Sequence, residues 1–495
     1  MWMRTRPDNP MKILLVHPSA LLYAEVYLRL EPLGMECVAA AARAAGHKVR
    51  LFDLQVFPPS QFERELRDFR PDAVGISLNY LANAPEVIDL AKQAARVQPG
   101  VFVFVGGHSA SFVAQELLAH SEGAIACVVR GEGEVSVPEM LAAAPRVGGV
   151  PGVVTADSNT PPRKLVGDFK QTLPARDLTR RRRKYFIGSH DPCASIEFSR
   201  GCSWDCSFCS AWTFYGRSYR PSNPEAIAEE IASIREPSLF VVDDVAFIRA
   251  DHGMAVADAI ERRGLHKRYY METRCDTLIR NQEVFARWVK LGLDCMFLGF
   301  ESLDGEQLKR FRKRLTPGQN FEALEVARKL KIVVAINLIV DPGWEREQFA
   351  IAREWASQVP EVVHMTIATP YPGTELFHTE TRELATTDYR LFDIQHAVLP
   401  TKLPLSEFYE ELVRTQAIIN AKFMGWRTAL DASRILVGLL LQGQTNFLRM
   451  LFRFSRVYNA RRFHNDHARP VRYAMNRPVR QSKPSLPANL MVHSK

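Results

Sequence analysis

The sequence has no uninterrupted apolar run as long as the roughly 20 residues that a bilayer-crossing helix needs. Eight cysteines in 495 residues are too few for a disulfide scaffold, and no low-complexity tract or short-period repeat is visible. The start, Met-Trp-Met-Arg-Thr-Arg, leads directly to a strand-like run without a long apolar signal region. Clustered thiols without such a signal point to a reducing, cytoplasmic setting. There is no second Cys-x-x-Cys pair and no further cluster of Cys or His at knuckle spacing, so a structural zinc site lacks its ligands. A ferredoxin-type cube needs a fourth cysteine, and neither Cys193 nor Cys275 stands at that spacing. At this length the chain holds two or three domains.

What the chain does have is the run Ser199-Arg-Gly-Cys-Ser-Trp-Asp-Cys-Ser-Phe-Cys-Ser. Cys202, Cys206 and Cys209 are set apart by three and then two residues, beside Gly201 and polar neighbours, unlike inert core thiols. Thiolates are the usual protein ligands of iron–sulfur clusters. Three of them can ligate three irons of a 4Fe–4S cube and leave the fourth iron open to a substrate. The segment, with Phe208 beside the last cysteine, closely resembles the radical S-adenosylmethionine superfamily. The resemblance implies a 4Fe–4S cluster that splits S-adenosylmethionine by one-electron reduction, and a flavodoxin- or ferredoxin-type reductant. The radical so formed takes hydrogen from an unactivated carbon.

The region before the triad, residues 11–145, alternates strand-like and helical stretches. Met11-Lys-Ile-Leu-Leu-Val-His, ended by Pro18, reads as a buried parallel strand, and Gly34 to Gly46 as an Ala-rich helix. Further strands are expected at Lys48, Ala73, Val101 and Ile125. Such alternation predicts a doubly wound, flavodoxin-like parallel sheet whose ligand lies at the carboxyl ends of the strands. Gly106 and Gly107 follow one strand directly and allow close approach of a large flat ligand; Ser77 ends another and can hydrogen-bond it. The layout resembles the cobalamin-binding domain, which implies bound cobalamin (methylcobalamin in a methyl transfer). One departure concerns the cobalt: where the family offers histidine in Asp-x-His-x-x-Gly, this chain has Asp53-Leu-Gln55-Val-Phe. Gln55 stands where the histidine would be and no glycine follows at the required place, so the resemblance implies a cobalt whose lower face is not held by histidine.

Residues 146–192, with Thr160-Pro-Pro-Arg and the run Arg180 to Lys184, read as an exposed connector. The arginines lack interleaved aromatics, so they are expected to be a solvated patch and no nucleic-acid partner is expected. From Cys193 to residue 400, six strand-like segments separated by helical stretches suit the partial (β/α)6 barrel typical of the superfamily. Polar groups stand at the strand ends: Asp243 and Asp244, Glu272 and Arg274, Glu301 and Ser302, Asn337 and Asp341. By resemblance, Gly299 and Glu301 contribute to S-adenosylmethionine binding with Ser302 a ribose contact. Asp243 and Asp244 occupy the place of the usual Gly-Gly-Glu string, and Phe208, Glu272 and Arg274 complete the expected set. His364, Tyr371 and His396 are expected in buried, hydrogen-bonded roles in preference to the pocket.

Residues 401–495 are expected to be helical and basic. From Leu451 to Lys495 there are ten Lys or Arg against Asp466 alone, which equals the whole-chain net charge of +9. An apolar stretch from Ala432 precedes this tail, a pattern that fits either a membrane-surface segment or a helical cap on the core. Several strings narrow the family: Leu15-Val-His-Pro-Ser-Ala, Arg29-Leu-Glu-Pro-Leu-Gly, Thr369-Pro-Tyr-Pro-Gly-Thr-Glu, Asp388-Tyr-Arg-Leu-Phe-Asp and Gln442-Gly-Gln-Thr-Asn-Phe. Together they resemble the hopanoid C-3 methylase family over nearly the entire chain. The resemblance implies methylation at C-3 of a pentacyclic hopanoid lipid. Two other classes share parts of the pattern. One is the oxygen-independent magnesium-protoporphyrin monomethyl ester cyclase; the other is a cobalamin- and cluster-binding sensor without turnover.

Overall fold

Continuous apolar runs become buried parallel strands, beginning with β1 (Lys12–His17). The computed structural model describes residues 10–167, 169–170, 172–380, 384–422 and 426–476. After β1 come β2 (Leu28–Arg29), β3 (Lys48–Asp53), β4 (Ala73–Ser77), β5 (Phe102–Gly106), β6 (Cys127–Val129), β7 (Val153–Val154) and β8 (Phe186–Ile187). The first sheet has the order β3-β1-β4-β5-β6-β7, with β7 antiparallel to β6 and the rest parallel. Chain direction reverses across the sheet between β1 and β4, the switch point where flavodoxin-like sheets bind ligands. Strand residues alternate between two cores. Ile13, Leu15 and Phe104 pack with Ala39 and Val137 of the helices Leu33–Ala44 and Gly133–Ala143. Leu14 and Val16 pack with Leu66 and Val87 of Phe62–Phe69 and Ala84–Val97.

The second unit contains β9 (Cys193–Ile196), β10 (Ser199–Arg200), β11 (Arg220–Pro221), β12 (Ser238–Val241), β13 (Arg268–Arg274), β14 (Leu293–Glu301), β15 (Val333–Val340) and β16 (Val362–Ile367). Its main sheet runs β16-β15-β14-β13-β12-β9, all parallel, the six strands of a partial (β/α) barrel. The two-residue period of strands sorts the side chains. Leu239, Val241, Met271, Met296, Leu298, Ile336 and Met365 meet the surrounding helices. The alternate set Phe240, Tyr270, Cys295 and Phe297 turns inward against Leu28, Leu30 and Ile187, which the first unit and the connector insert. Between β11 and β12 the helix Pro224–Ser233 starts on a cap that the sequence Asn223-Pro224 itself favours: Asn223 Oδ1 accepts from Glu225 N at 2.9 Å, with Pro224 in the first turn.

The connector is solvated only in part: Arg180, Arg181, Arg183 and Lys184 are exposed as expected, while Arg176 and Arg182 are drawn inward. Arg176 is buried, donates to Glu230 Oε1 at 2.6 Å and to the Ser195 carbonyl at 2.7 Å, and also pairs with Glu31. Arg182 forks onto Glu236 at 2.8 and 2.7 Å. Glu31 comes from the first unit and Glu230 and Glu236 from the second, so these arginines bolt the two units together. Tyr185 and Phe186 are almost wholly buried. The sequence pattern misleads here because each arginine's acidic partner is remote in the chain.

The C-terminal region is helical as expected. Leu405–Ala421 packs Phe408, Tyr409 and Leu412 on the barrel core. Tyr473 and Met475 cross back to the core of the first unit, and Arg472 pairs with Asp89 at 2.7 Å. The helix Trp426–Leu441 leaves Ile435, Val437, Leu440 and Leu441 exposed, the last at 84%. No helix among the described residues is long and apolar enough to cross a membrane. Residues 477–495, which hold part of the basic tail, lie outside the described residues.

Candidate active site

The three cysteines lie on the loop between β10 and β11, and many bonds fix that loop. Gly201 N donates to Asp244 Oδ2 at 3.0 Å, Ser207 N to the Phe311 carbonyl at 2.9 Å, and Trp212 Nε1 to the Cys206 carbonyl at 2.9 Å. Burial and the neighbouring Asp244 raise the thiols of Cys202, to about 11, and Cys209, to about 12. Desolvated thiols at such values become thiolates when a soft cation takes the proton's place. Three thiols carried on one loop are the donor set that a 4Fe–4S cube takes.

At the barrel mouth, Glu272 is the most exceptional group. Its carboxylate has no hydrogen-bond or ion-pair partner among the described residues, and burial, then Asp244 and Glu301, push it up to about 7. Asp244 ends its strand with an exposed side chain that accepts from Gly201 N, and desolvation still raises it to about 6. Glu301 sits beyond a register irregularity in β14 with φ of 65° and meets Lys313 Nζ at 2.8 Å, beside Gly299. A positive φ at a non-glycine strand end is stored strain of the kind found at functional sites. Phe208 packs edge-on against Phe311 at 5.2 Å and touches Ile339 and Ala368, giving the mouth an apolar wall.

Several expected contacts are redirected. Asp243 is buried and accepts from Phe198 N at 2.7 Å and from Ser199, so it holds the strand that leads to the cysteines. The Ser302 hydroxyl is spent on Gln307 Oε1 at 2.6 Å and Asp304 N at 3.0 Å. Arg274 turns to Asp276, the Lys313 carbonyl and Cys206. Asn337 donates to Thr366 inside the barrel at 2.7 Å. Tyr371 donates to the Phe392 carbonyl at 3.1 Å. Burial opposes the charge on His396, but Asp393 and Asp466 prevail and raise it to about 9. His364 lies edge-on to Tyr27 at 4.7 Å, and burial lowers it to about 4.

A cavity opens where the mouth faces the first sheet, spanning about 880 Å³ of space that is partly open to solvent. Ser77, Gly106 and Gly107 line it, as predicted. It runs down between the sheet and the helices Leu33–Ala44 and Gly133–Ala143, past Gly75, Met35 and Val137. Ser77 Oγ is buried there without a partner, a cost that a bound polar group would remove. At Gly107, φ is 112° and a Cβ would lie 2.9 Å from the Leu78 carbonyl, so only glycine keeps the backbone in place. An unpartnered buried hydroxyl at Ser77 beside the bare backbone of Gly107 fits the nucleotide tail of cobalamin. Gln55 does not line this cavity: its amide donates to the Leu30 carbonyl at 3.0 Å and to Asp53 at 3.3 Å, inside the joint between the units.

The barrel contributes Glu197, Arg200, Phe214 and Tyr215 to the same cavity, and the first unit contributes Asn79, His108, Glu132 and Glu134. None was identifiable beforehand, although Gly131-Glu-Gly-Glu stood at a strand end where ligands bind. Arg200, just before the cysteine loop, bonds Glu132 at 3.0 Å and Glu134 at 2.7 Å. His108 Nε2 and Ser210 Oγ, next to Cys209, share a hydrogen bond of 2.7 Å. Burial drops His108 to about 4, so it is neutral, and it stacks on Phe214 at 4.6 Å.

Comparison with known proteins agrees with this two-part site. The B12 binding domain family matches residues 20–141, and the Radical SAM superfamily matches residues 196–356. The hopanoid C-3 methylase of Methylococcus capsulatus is 58% identical over 98% of this chain and 95% of its own length. The anaerobic magnesium-protoporphyrin IX monomethyl ester cyclase of Rubrivivax gelatinosus is 23% identical over 86% of this chain and 80% of its own. Among solved structures, the cobalamin-dependent S-adenosylmethionine radical enzyme OxsB has a TM-score of 0.66 at 16% identity, covering 94% of this chain and 76% of its own. The radical S-adenosylmethionine methyltransferase TsrM of Kitasatospora setae has a TM-score of 0.60 at 16% identity, covering 76% and 78%. The two structures share the fold.

Proposed function

The chain belongs to the hopanoid C-3 methylase family, and from that premise we propose how its own residues methylate C-3 of a hopanoid lipid. It is a cobalamin-dependent radical S-adenosylmethionine methyltransferase with a 4Fe–4S cluster. When bound, the cluster supplies the electron that activates S-adenosylmethionine, and the cobalamin supplies the transferable methyl group. Cys202, Cys206 and Cys209 hold the cluster. Ser77, Gly106 and Gly107 hold the cobalamin tail. A flavodoxin- or ferredoxin-type protein delivers the electrons.

Glu272 receives the ammonium group of S-adenosylmethionine. A desolvated carboxylate without a partner, crowded by Asp244 and Glu301, gains most from a bound cation. Asp244 adds negative charge from the open side, and Phe208 forms an apolar wall for the adenosyl portion. Glu301 and Gly299 define the strand end through Lys313, while Asp243 and Ser302 support the scaffold. Phe214, Tyr215 and neutral His108 close the gap against water. The observation that carries the proposal is the His108–Ser210 bond, because it joins the cobalamin cavity to the cysteine loop.

A lipid substrate also gives the exposed face of Trp426–Leu441 a role as a membrane-surface contact, with Arg434 exposed on the same helix. Expression in a host that makes only unmethylated hopanoids, followed by lipid mass spectrometry, tests the function. A product heavier by one CH2 with the methyl group at C-3 is expected. Ring closure without added carbon, or no new lipid from a cluster-loaded protein, refutes it.

A further inference from the structure

Arg274 ends β13 and is only 4% exposed. Its Nε and one Nη fork onto Asp276 at 2.9 and 3.2 Å, and the same Nη donates to the Lys313 carbonyl at 2.7 Å. The other Nη is left to face Cys206 Sγ at 3.6 Å. The Trp204 ring, itself from the cysteine loop, covers the guanidinium at 4.4 Å. Among the described residues, Arg274 is the cation whose side chain is hydrogen-bonded to one of the three cysteine sulfurs. Lys313, the other nearby cation, is turned to Glu301.

We propose that Arg274 is a positioning residue that aims one N–H at the Cys206 sulfur and thereby raises the reduction potential of the cluster. The inference rests on the assignment of the three thiols to a 4Fe–4S cluster. Hydrogen bonds to cluster sulfurs and nearby positive charge favour the reduced state, which carries one more electron. The site is buried, so solvent screens little of the effect. Asp276 has two consequences: it fixes the plane of the guanidinium, and it offsets part of its charge. A lysine in this position keeps the charge and loses the fork and the stacking.

The test is an anaerobic redox titration followed by electron paramagnetic resonance, on full-length protein loaded with cluster and cobalamin and without lipid. Arg274→Gln is expected to retain iron and to show about a tenfold lower reduced fraction at a fixed poise, a midpoint about 59 mV more negative. Arg274→Lys should recover most of that shift. An iron-replete Arg274→Gln protein with the wild-type midpoint overturns the proposal. Should that variant lose its iron, Asp276→Asn decides: a more positive midpoint supports the proposal, and an unchanged or more negative one overturns it. Failure of the cluster assignment is separate, because the wild-type protein would then show no 4Fe–4S signal.

Discussion

Cys202, Cys206 and Cys209 were legible because ligand spacing is a local property of the chain. Their supports were not, since Asp244 and Arg274 reach the loop only through the fold. Cys206→Ala should abolish methylated lipid and leave less than full iron, measured by lipid mass spectrometry and iron analysis. Glu272 yields a prediction with a defined sign. Its pKa is raised from 4.5 to about 7, so the empty site carries a proton at lower pH. S-adenosylmethionine binding should therefore strengthen as pH rises through 7, and Glu272→Gln should weaken binding and flatten that dependence in calorimetry. The same shift makes this group's contribution to stability fullest below about 4.5 and lost as pH rises to about 7. For Gly107→Val, the added side chain meets Asn79 and the Leu78 carbonyl at a φ of 112°. That variant should lose cobalamin, seen by absorbance, while it retains iron.

Elements were easier to foresee than contacts. Val333–Val340 and the other buried strands announce themselves as apolar runs, and the helix at Pro224 by its cap, because both signals are short-range. Side-chain direction at a strand end was harder. Ser302 and Asp243 stand in the expected places, yet Ser302 serves Asp304 and Gln307 in the loop and helix that follow, and Asp243 serves Phe198 and Ser199 ahead of the cysteines. At Glu301 a register irregularity and a positive φ, neither visible in composition, set the direction. The helix Trp426–Leu441 supports a prediction of its own. Changing Ile435, Val437, Leu440 and Leu441 to Ser should reduce flotation with anionic liposomes, with iron and cobalamin contents unaltered. Unchanged flotation would remove the membrane-surface role.

At the scale of the molecule, the joint between the units carries the largest departure from expectation. Arg182, inside the run expected to be solvated, is drawn in because its partners Glu31 and Glu236 come from two other regions of the sequence, and Arg176 joins Glu31 to Glu230 across the same seam. Arg176→Ala removes the cation shared by buried Glu31 and Glu230 and leaves them to Arg182 and Lys170 alone, at a cost of up to about 3 kcal/mol. A lower thermal midpoint and faster trypsin cleavage within residues 146–192 are expected. Arg183 extends the same joint: its guanidinium donates to the Gln442 carbonyl, at the end of the exposed apolar helix. The proposed membrane contact and the seam between the units thus share one cluster of arginines, so that a load on that helix would be passed to the joint.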